Sequence, residues 1–93
     1  MAVVVDHIFI CTSADAPAAR LLVNLGLVEG SSNRHPGQGT ICRRFFFQTF
    51  MLELLWMEKA SEAQSAMARP TRLWERFSAV GREASPFGVI LIP

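Results

Sequence analysis

Residues 50–57 (FMLELLWM) pose the problem that the rest of the chain must solve. They read as a strand, because the run is short and apolar. Period two puts Phe50, Leu52, Leu54 and Trp56 on one wholly apolar face, which should be the packed side. Glu53 then falls on the other face, between Met51 and Leu55, as the one charge in the run. Burying a lone carboxylate typically costs several kcal/mol, even after relaxation. Glu53 must therefore be protonated, paired with an arginine, bound to a metal, or turned into a wet cavity.

The remaining pattern is of mixed class. Residues 2–11 (AVVVDHIFIC) form a second strand, apolar on both faces and so covered on both sides. Thr12, Ser13 and Asp15 offer helix caps, Pro17 suits a first turn, and residues 15–25 read as a short helix closed by Gly26. A short strand follows at 27–29. Residues 30–39 (GSSNRHPGQG) are a loop by turn chemistry. Residues 40–48 (TICRRFFFQ) are a strand. Helices are expected at 60–68, ended by Pro70, and at 71–80, with Leu73, Trp74, Phe77 and Val80 on one face. Residues 81–86 read as a linker and 87–92 (FGVILI) as a last strand. The expectation is an α+β fold: a βαβββ module with a curled, mixed or antiparallel sheet, one covering helix, late helices and a terminal strand.

Ninety-three residues make one domain, 1–93, with a small core. Half the residues are hydrophobic (51%) and only 18% are charged, which excludes a disordered chain. Mean hydropathy of +0.28 is high for so small a domain, which suggests more apolar surface than one copy can hide. The apolar strand 87–92 would be an aggregation hazard at a free edge, so it is expected to pair with a second copy in a homodimer. A net charge of +1 gives no electrostatic case for nucleic acid or an anionic membrane. No apolar stretch approaches the ~20 residues that span a bilayer. The chain opens without a secretory pattern, so Cys11 and Cys42 are expected to be free core thiols of a cytoplasmic protein.

His7 and Glu53 are the candidate metal ligands. Each lies mid-strand among apolar neighbours. Each also has a plain reading: His7 as a core histidine, Glu53 as the partner of Arg43 or Arg44 on the preceding strand. Two ligands are too few for a tight site, but two copies would supply a 2-His-2-Glu set suited to Zn, Ni, Fe or Mn. Contacts to a small-molecule ligand are expected from His35 at the mouth of the cleft, from Arg43, Phe45 and Phe47, and from Met51 and Leu55 beside Glu53. The loop 30–39 lacks a phosphate-loop pattern, and no Ser–His–Asp arrangement is readable.

DHIFI (6–10), LVNLGL (22–27), HPGQGT (35–40) and MLELLW (51–56), in that order, resemble the vicinal-oxygen-chelate superfamily of glyoxalase, bleomycin-resistance and extradiol-dioxygenase proteins. The resemblance implies a βαβββ module whose first strand carries a metal-binding His and whose last carries a metal-binding Glu, positions matched by His7 and Glu53. It also implies a second module. Here residues 85–92 look like that module's opening strand, with Gly88 roughly where its His would stand. Three functions follow as expectations. The first is a small-molecule-binding protein enclosing an apolar or aromatic ligand in a dimeric cleft. The alternative is a divalent-metal-dependent lyase, isomerase or dioxygenase. The third is a protein-interaction module.

Overall fold

The computed structural model describes residues 2–78 and 84–93. The fold is α+β, built on a six-stranded mixed sheet. Its strands are β1 (Val4–Cys11), β2 (Val28–Glu29), β3 (Asn33–His35), β4 (Thr40–Phe46), β5 (Met51–Met57) and β6 (Phe87–Ile92). Three short helices accompany them: α1 (Ala19–Asn24), α2 (Ala60–Ala63) and α3 (Leu73–Phe77). The order across the sheet is β2-β4-β5-β1-β6, and β3, off that path, pairs with the start of β4. β1 and β5 are parallel; every other pairing is antiparallel.

Helices cover both faces of the sheet, as two doubly apolar strands require. On one face Phe45 and Leu54 pack with Ala16 and Ala19 at the start of α1, joined by Ile10, Leu22, Leu27, Leu52 and Trp56. On the other, Phe9, Cys42 and Leu55 pack with Leu73 of α3, joined by Cys11 and Phe77. The even-numbered side of β5 is thus the packed α1 side, as its apolar pattern predicts. Among the described residues no helix is long and apolar enough to cross a membrane.

Several expectations are corrected. Helix α1 starts at Ala19 rather than 15, because Asp15 and Ala16 take left-handed backbone angles (φ 65° and 46°), and none of the expected caps bonds to it. The segment read as a loop contains β3, which pairs Asn33 with Cys42 and His35 with Thr40. The two late helices shrink to α2, a 3-10 turn at Arg69–Thr71 and α3. Val80 and residues 81–83 of the linker lie outside the described residues. The terminal strand β6 pairs on one edge with β1 of its own chain, and its other edge is open among the described residues. In that register Gly88 stands opposite Phe9, while Ile90 stands opposite His7.

Gly39 fixes the tight turn between β3 and β4. Its φ is +78°, its carbonyl accepts from the amides of Glu58 and Lys59, and a Cβ there would meet the Lys59 carbonyl oxygen at 2.1 Å. Only glycine permits both the angle and that approach. The turn sets His35 and Thr40 opposite each other on one face of the sheet.

Candidate functional site

Strand pairing alone gathers the site. Arg44 of β4 is opposite Glu53 of β5, Glu53 is opposite Phe9 of β1, and Phe9 is opposite Gly88 of β6. These four form one row across the sheet. His7, two residues before Phe9, and His35 and Cys42 share its face. That face and α3 enclose a half-open cavity of about 520 Å³. His7, His35, Met51, Glu53 and Leu55 line it, together with Arg44 and with Phe9, Leu73 and Arg76, the last three not expected at a ligand site from the sequence.

Glu53 is the centre. It is 6% exposed, and both carboxylate oxygens are occupied. His7 Nε2 lies 3.0 Å from Oε1, and His35 Nε2 lies 3.4 Å from Oε2. The Cys42 thiol donates to Oε2 at 3.2 Å. The far nitrogens of both rings are also held: His7 Nδ1 is 2.7 Å from Asp6 Oδ2, and His35 Nδ1 is 2.9 Å from Thr40 Oγ1. Each imidazole is therefore fixed with Nε2 towards Glu53. Two carboxylate oxygens can both accept from the His7 ring only when both of its nitrogens carry protons. A cation in place of the Nε2 proton satisfies the same geometry.

Burial works to raise the Glu53 carboxyl, but hydrogen bonds from His35 and Cys42 and the charge of the nearby imidazoles outweigh it, and the net shift is downward. Glu53 is a carboxylate at neutral pH. The Cys42 thiol is pushed up to about 12 by burial, then by the Glu53 charge and hydrogen bond. Burial also pushes Cys11 to about 11. Neither is a thiolate nucleophile at neutral pH.

These shifts fix the acid limb of stability. A carboxyl whose folded value is lowered adds stability above its unfolded value, and that stability is lost as pH falls through the folded value. Glu53, Glu29 (bonded to Arg43) and Glu58 (bonded to Arg34) are all lowered. Unfolding free energy in urea, measured with EDTA present, is expected to fall as the pH drops below about 4.3, the ordinary glutamate value. A rise in stability on acidification through that range would contradict the assigned contacts.

Three expected ligand contacts are not in the cavity. Phe45 is fully buried in the α1-side core. Arg43 leaves the cleft face and pairs with Glu29, Nε to Oε2 at 2.7 Å. Phe47 stacks on Phe50 with ring centroids 4.7 Å apart, away from the cavity lining. The reason is parity: the side chains of β4 that share the Glu53 face are the even ones, Thr40, Cys42 and Arg44. Arg44 also declines the Glu53 pairing foreseen for it and bonds Ser31 instead.

Ligands bound at about 2.0–2.3 Å on one ion lie roughly 3–3.5 Å apart; Cys42 Sγ and His35 Nε2 lie 3.2 and 3.4 Å from Glu53 Oε2, and His7 Nε2 lies 3.0 Å from Oε1. His35, Cys42 and Glu53 bring their donor atoms within 4.8 Å of one another, a group that could hold a metal ion. His35 is the residue whose part was under-read. It supplies a second imidazole from the same chain, so a partner copy is not required to assemble two histidines.

Neither the family models nor the curated proteins compared with the chain give a match. Among solved structures the chain resembles the crystal structure of hypothetical protein BH1468 from Bacillus halodurans C-125, with a TM-score of 0.59 and 20% sequence identity. The alignment covers 83% of this chain and 53% of the other, so the chain spans about half the length of that protein. That likeness supports the α+β fold.

Proposed function

We propose that this protein binds a small molecule in the cleft, at a divalent-metal centre held by His7, His35 and Glu53. The observation that carries the reading is the convergence of two imidazole Nε2 atoms on one buried carboxylate, at 3.0 and 3.4 Å, in the wall of a cavity. Two histidines and one carboxylate make an N/O set suited to Zn, Ni, Fe or Mn, with positions left for water and ligand. Asp6 and Thr40 would orient the two rings towards the ion. Once bound, the ion would act as a Lewis acid towards ligand oxygens. This accords with the resemblance to the vicinal-oxygen-chelate superfamily and leaves room for lyase, isomerase or dioxygenase chemistry. The free thiols of Cys11 and Cys42 support a reducing, cytoplasmic setting.

The experiment is metal addition to EDTA-stripped protein. An ion that binds only the folded state raises the thermal midpoint by linkage, by about 2.7 kcal/mol of stability at a hundredfold excess over its Kd. A rise with Zn, Ni, Mn or Fe that disappears in His35→Ala is expected. No rise with any of them removes the metal centre. A metal-free binder is then the second reading, favoured by one observation: every buried polar side-chain atom among the described residues already has a partner, Glu53 included.

A second copy belongs to the proposal. The open edge strand β6 exposes Phe87, Val89 and Leu91 at 62%, 57% and 58%, and its Gly88 and Ile90 line the cavity. A partner there would bury the edge and narrow the cleft mouth. Sedimentation at micromolar concentration is expected to give a dimer; a stable monomer would withdraw this part of the proposal.

A further inference from the structure

The cleft holds two guanidinium groups that no carboxylate neutralises. Outside the cleft four cations meet acids, Arg34 with Glu58, Arg43 with Glu29, Lys59 with Glu62 and Arg72 with Glu75, while Arg20 and Arg69 have no ion pair among the described residues. Arg44 and Arg76 line the cavity, and neither has a carboxylate within ion-pair distance among the described residues. Neutral oxygens hold both. Arg44 donates from Nε to the Ser31 carbonyl at 2.8 Å and from Nη2 to the Ser31 hydroxyl at 2.7 Å. Arg76 donates from Nε to the Thr71 carbonyl at 2.9 Å, and from Nη1 to the carbonyls of Ser85 at 3.0 Å and Phe87 at 3.1 Å. Each keeps one terminal nitrogen, Nη1 of Arg44 and Nη2 of Arg76, without a hydrogen-bond partner among the described residues.

The two sit on either side of Glu53. Arg44 is directly opposite it across β4 and β5. Arg76 lies over the Phe9 ring, 5.5 Å from its centroid, and Phe9 is opposite Glu53 on β1. Gly88 makes the second placement feasible, since a Cβ there would fall 2.0 Å from Phe9 Cζ. The ring leans across β6 into the space that any other residue would fill. The arginines are thus oriented in advance by neutral partners, and their charge is left for something else. In formal charge the cleft balances, with Asp6 and Glu53 against Arg44 and Arg76. A divalent ion would leave it positive.

We infer that the cleft selects small carboxylates, the anionic end held by Arg44 and Arg76 and an apolar body resting on Phe9, Met51 and Leu55. This deepens the metal-centre reading and rests on it for the ligand's remaining oxygens. The charge-assisted contact to a guanidinium supplies the preference, and the apolar wall supplies the rest.

The test compares mandelate with mandelamide, which keeps the phenyl ring and both neighbouring oxygens but lacks the charge. Calorimetry on Zn-loaded protein is expected to show mandelate binding about tenfold or more tightly, the scale of one charged hydrogen bond. In Arg44→Gln and Arg76→Gln that preference is expected to shrink, while Zn affinity, read by competition with a chromophoric chelator, stays the same. Arg44→Gln gives up contacts to Ser31 and to the Phe46 ring but none to β6, so it carries the test if loss of the Arg76 contacts to β6 unfolds the other variant. Equal binding of the two compounds overturns the inference, as does a preference undiminished by the substitutions. Failure of Zn to bind sinks the metal-centre reading instead, and the same comparison on EDTA-stripped protein then decides the carboxylate preference by itself.

Discussion

Glu53→Gln is expected to abolish tight divalent-metal binding while leaving the fold in place. Glutamine keeps the shape of the side chain and removes its charge. The charge is what a divalent ion needs, because the two remaining donors oriented at the centre, His7 and His35, are neutral when they ligate. Loss of an outer partner of a metal ligand already weakens affinity about 10- to 100-fold, and loss of the carboxylate itself should exceed that. The fold survives because the amide finds partners. His35 can carry its proton on Nδ1 and donate to the Thr40 hydroxyl, 2.9 Å away, which frees Nε2 to accept from the new NH2 group. The single amide oxygen, at the Oε1 position, still accepts from His7, while the Cys42 thiol loses its acceptor. The cost in unfolding free energy is therefore expected to be about 1–2 kcal/mol in the metal-free protein, near that of a strained or missing hydrogen bond. Chelator competition with Zn reads the affinity, and urea unfolding with EDTA reads the stability. Unchanged Zn affinity in a folded variant would show that the carboxylate is not a ligand. Glu53→Ala separates the two effects further, because it strands both imidazoles and the Cys42 thiol without an acceptor and should cost more stability for the same loss of metal.

His7 and Glu53 were legible in the sequence for one physical reason: each is a polar group in a run that is otherwise too apolar to be wet. Such a group needs an explanation, and the cleft with its converging donors supplies one. His35 was harder to place. Its neighbours Pro36, Gly37 and Gly39 announce a turn, and both glycines do take positive φ, at 85° and 78°. The three residues before that turn nevertheless pair with β4. Three residues contain no readable period, so nothing local distinguishes a short strand from the loop that carries it. Arg43 and Arg44 pose a different difficulty. Both faces of residues 40–48 carry an arginine and a phenylalanine, so alternation cannot choose between them. The choice is made by the register with β5, which sets Arg44 against Glu53 and Arg43 against Leu54. Register is a property of two strands and a turn, and one strand's sequence does not contain it. The terminal strand shows the same limit from the other side. Its apolar composition demanded a partner, and β1 of the same chain meets that demand on one edge alone.

Phe45→Ala is expected to remove a large part of the stability of the domain and to leave the chemistry of the cleft untouched. Phe45 is fully buried and packs with Ala16, Ala19 and Leu54, the contacts that fasten α1 to the sheet. Truncating a buried phenylalanine costs about 3–5 kcal/mol, in part because the cavity left behind collapses incompletely. A chain of this length has roughly 5–14 kcal/mol of stability in total. Since about 1 kcal/mol moves the midpoint of a domain this size by 4–8 °C, a drop of about 12 °C or more is expected on heating. Phe47→Ala provides the contrast. That ring is 42% exposed and stacks only on Phe50 among the aromatic pairs described. Its removal should cost on the order of 1 kcal/mol, the scale of an aromatic pair plus partial burial. Neither change should alter Zn affinity measured well below the melting range, because both residues lie outside the cleft lining. The opposite pattern, a stable Phe45→Ala protein with altered Zn or mandelate binding, would mean that the two faces of β4 are exchanged. Arg44 would then leave the cleft along with Cys42, and the carboxylate preference would go with it.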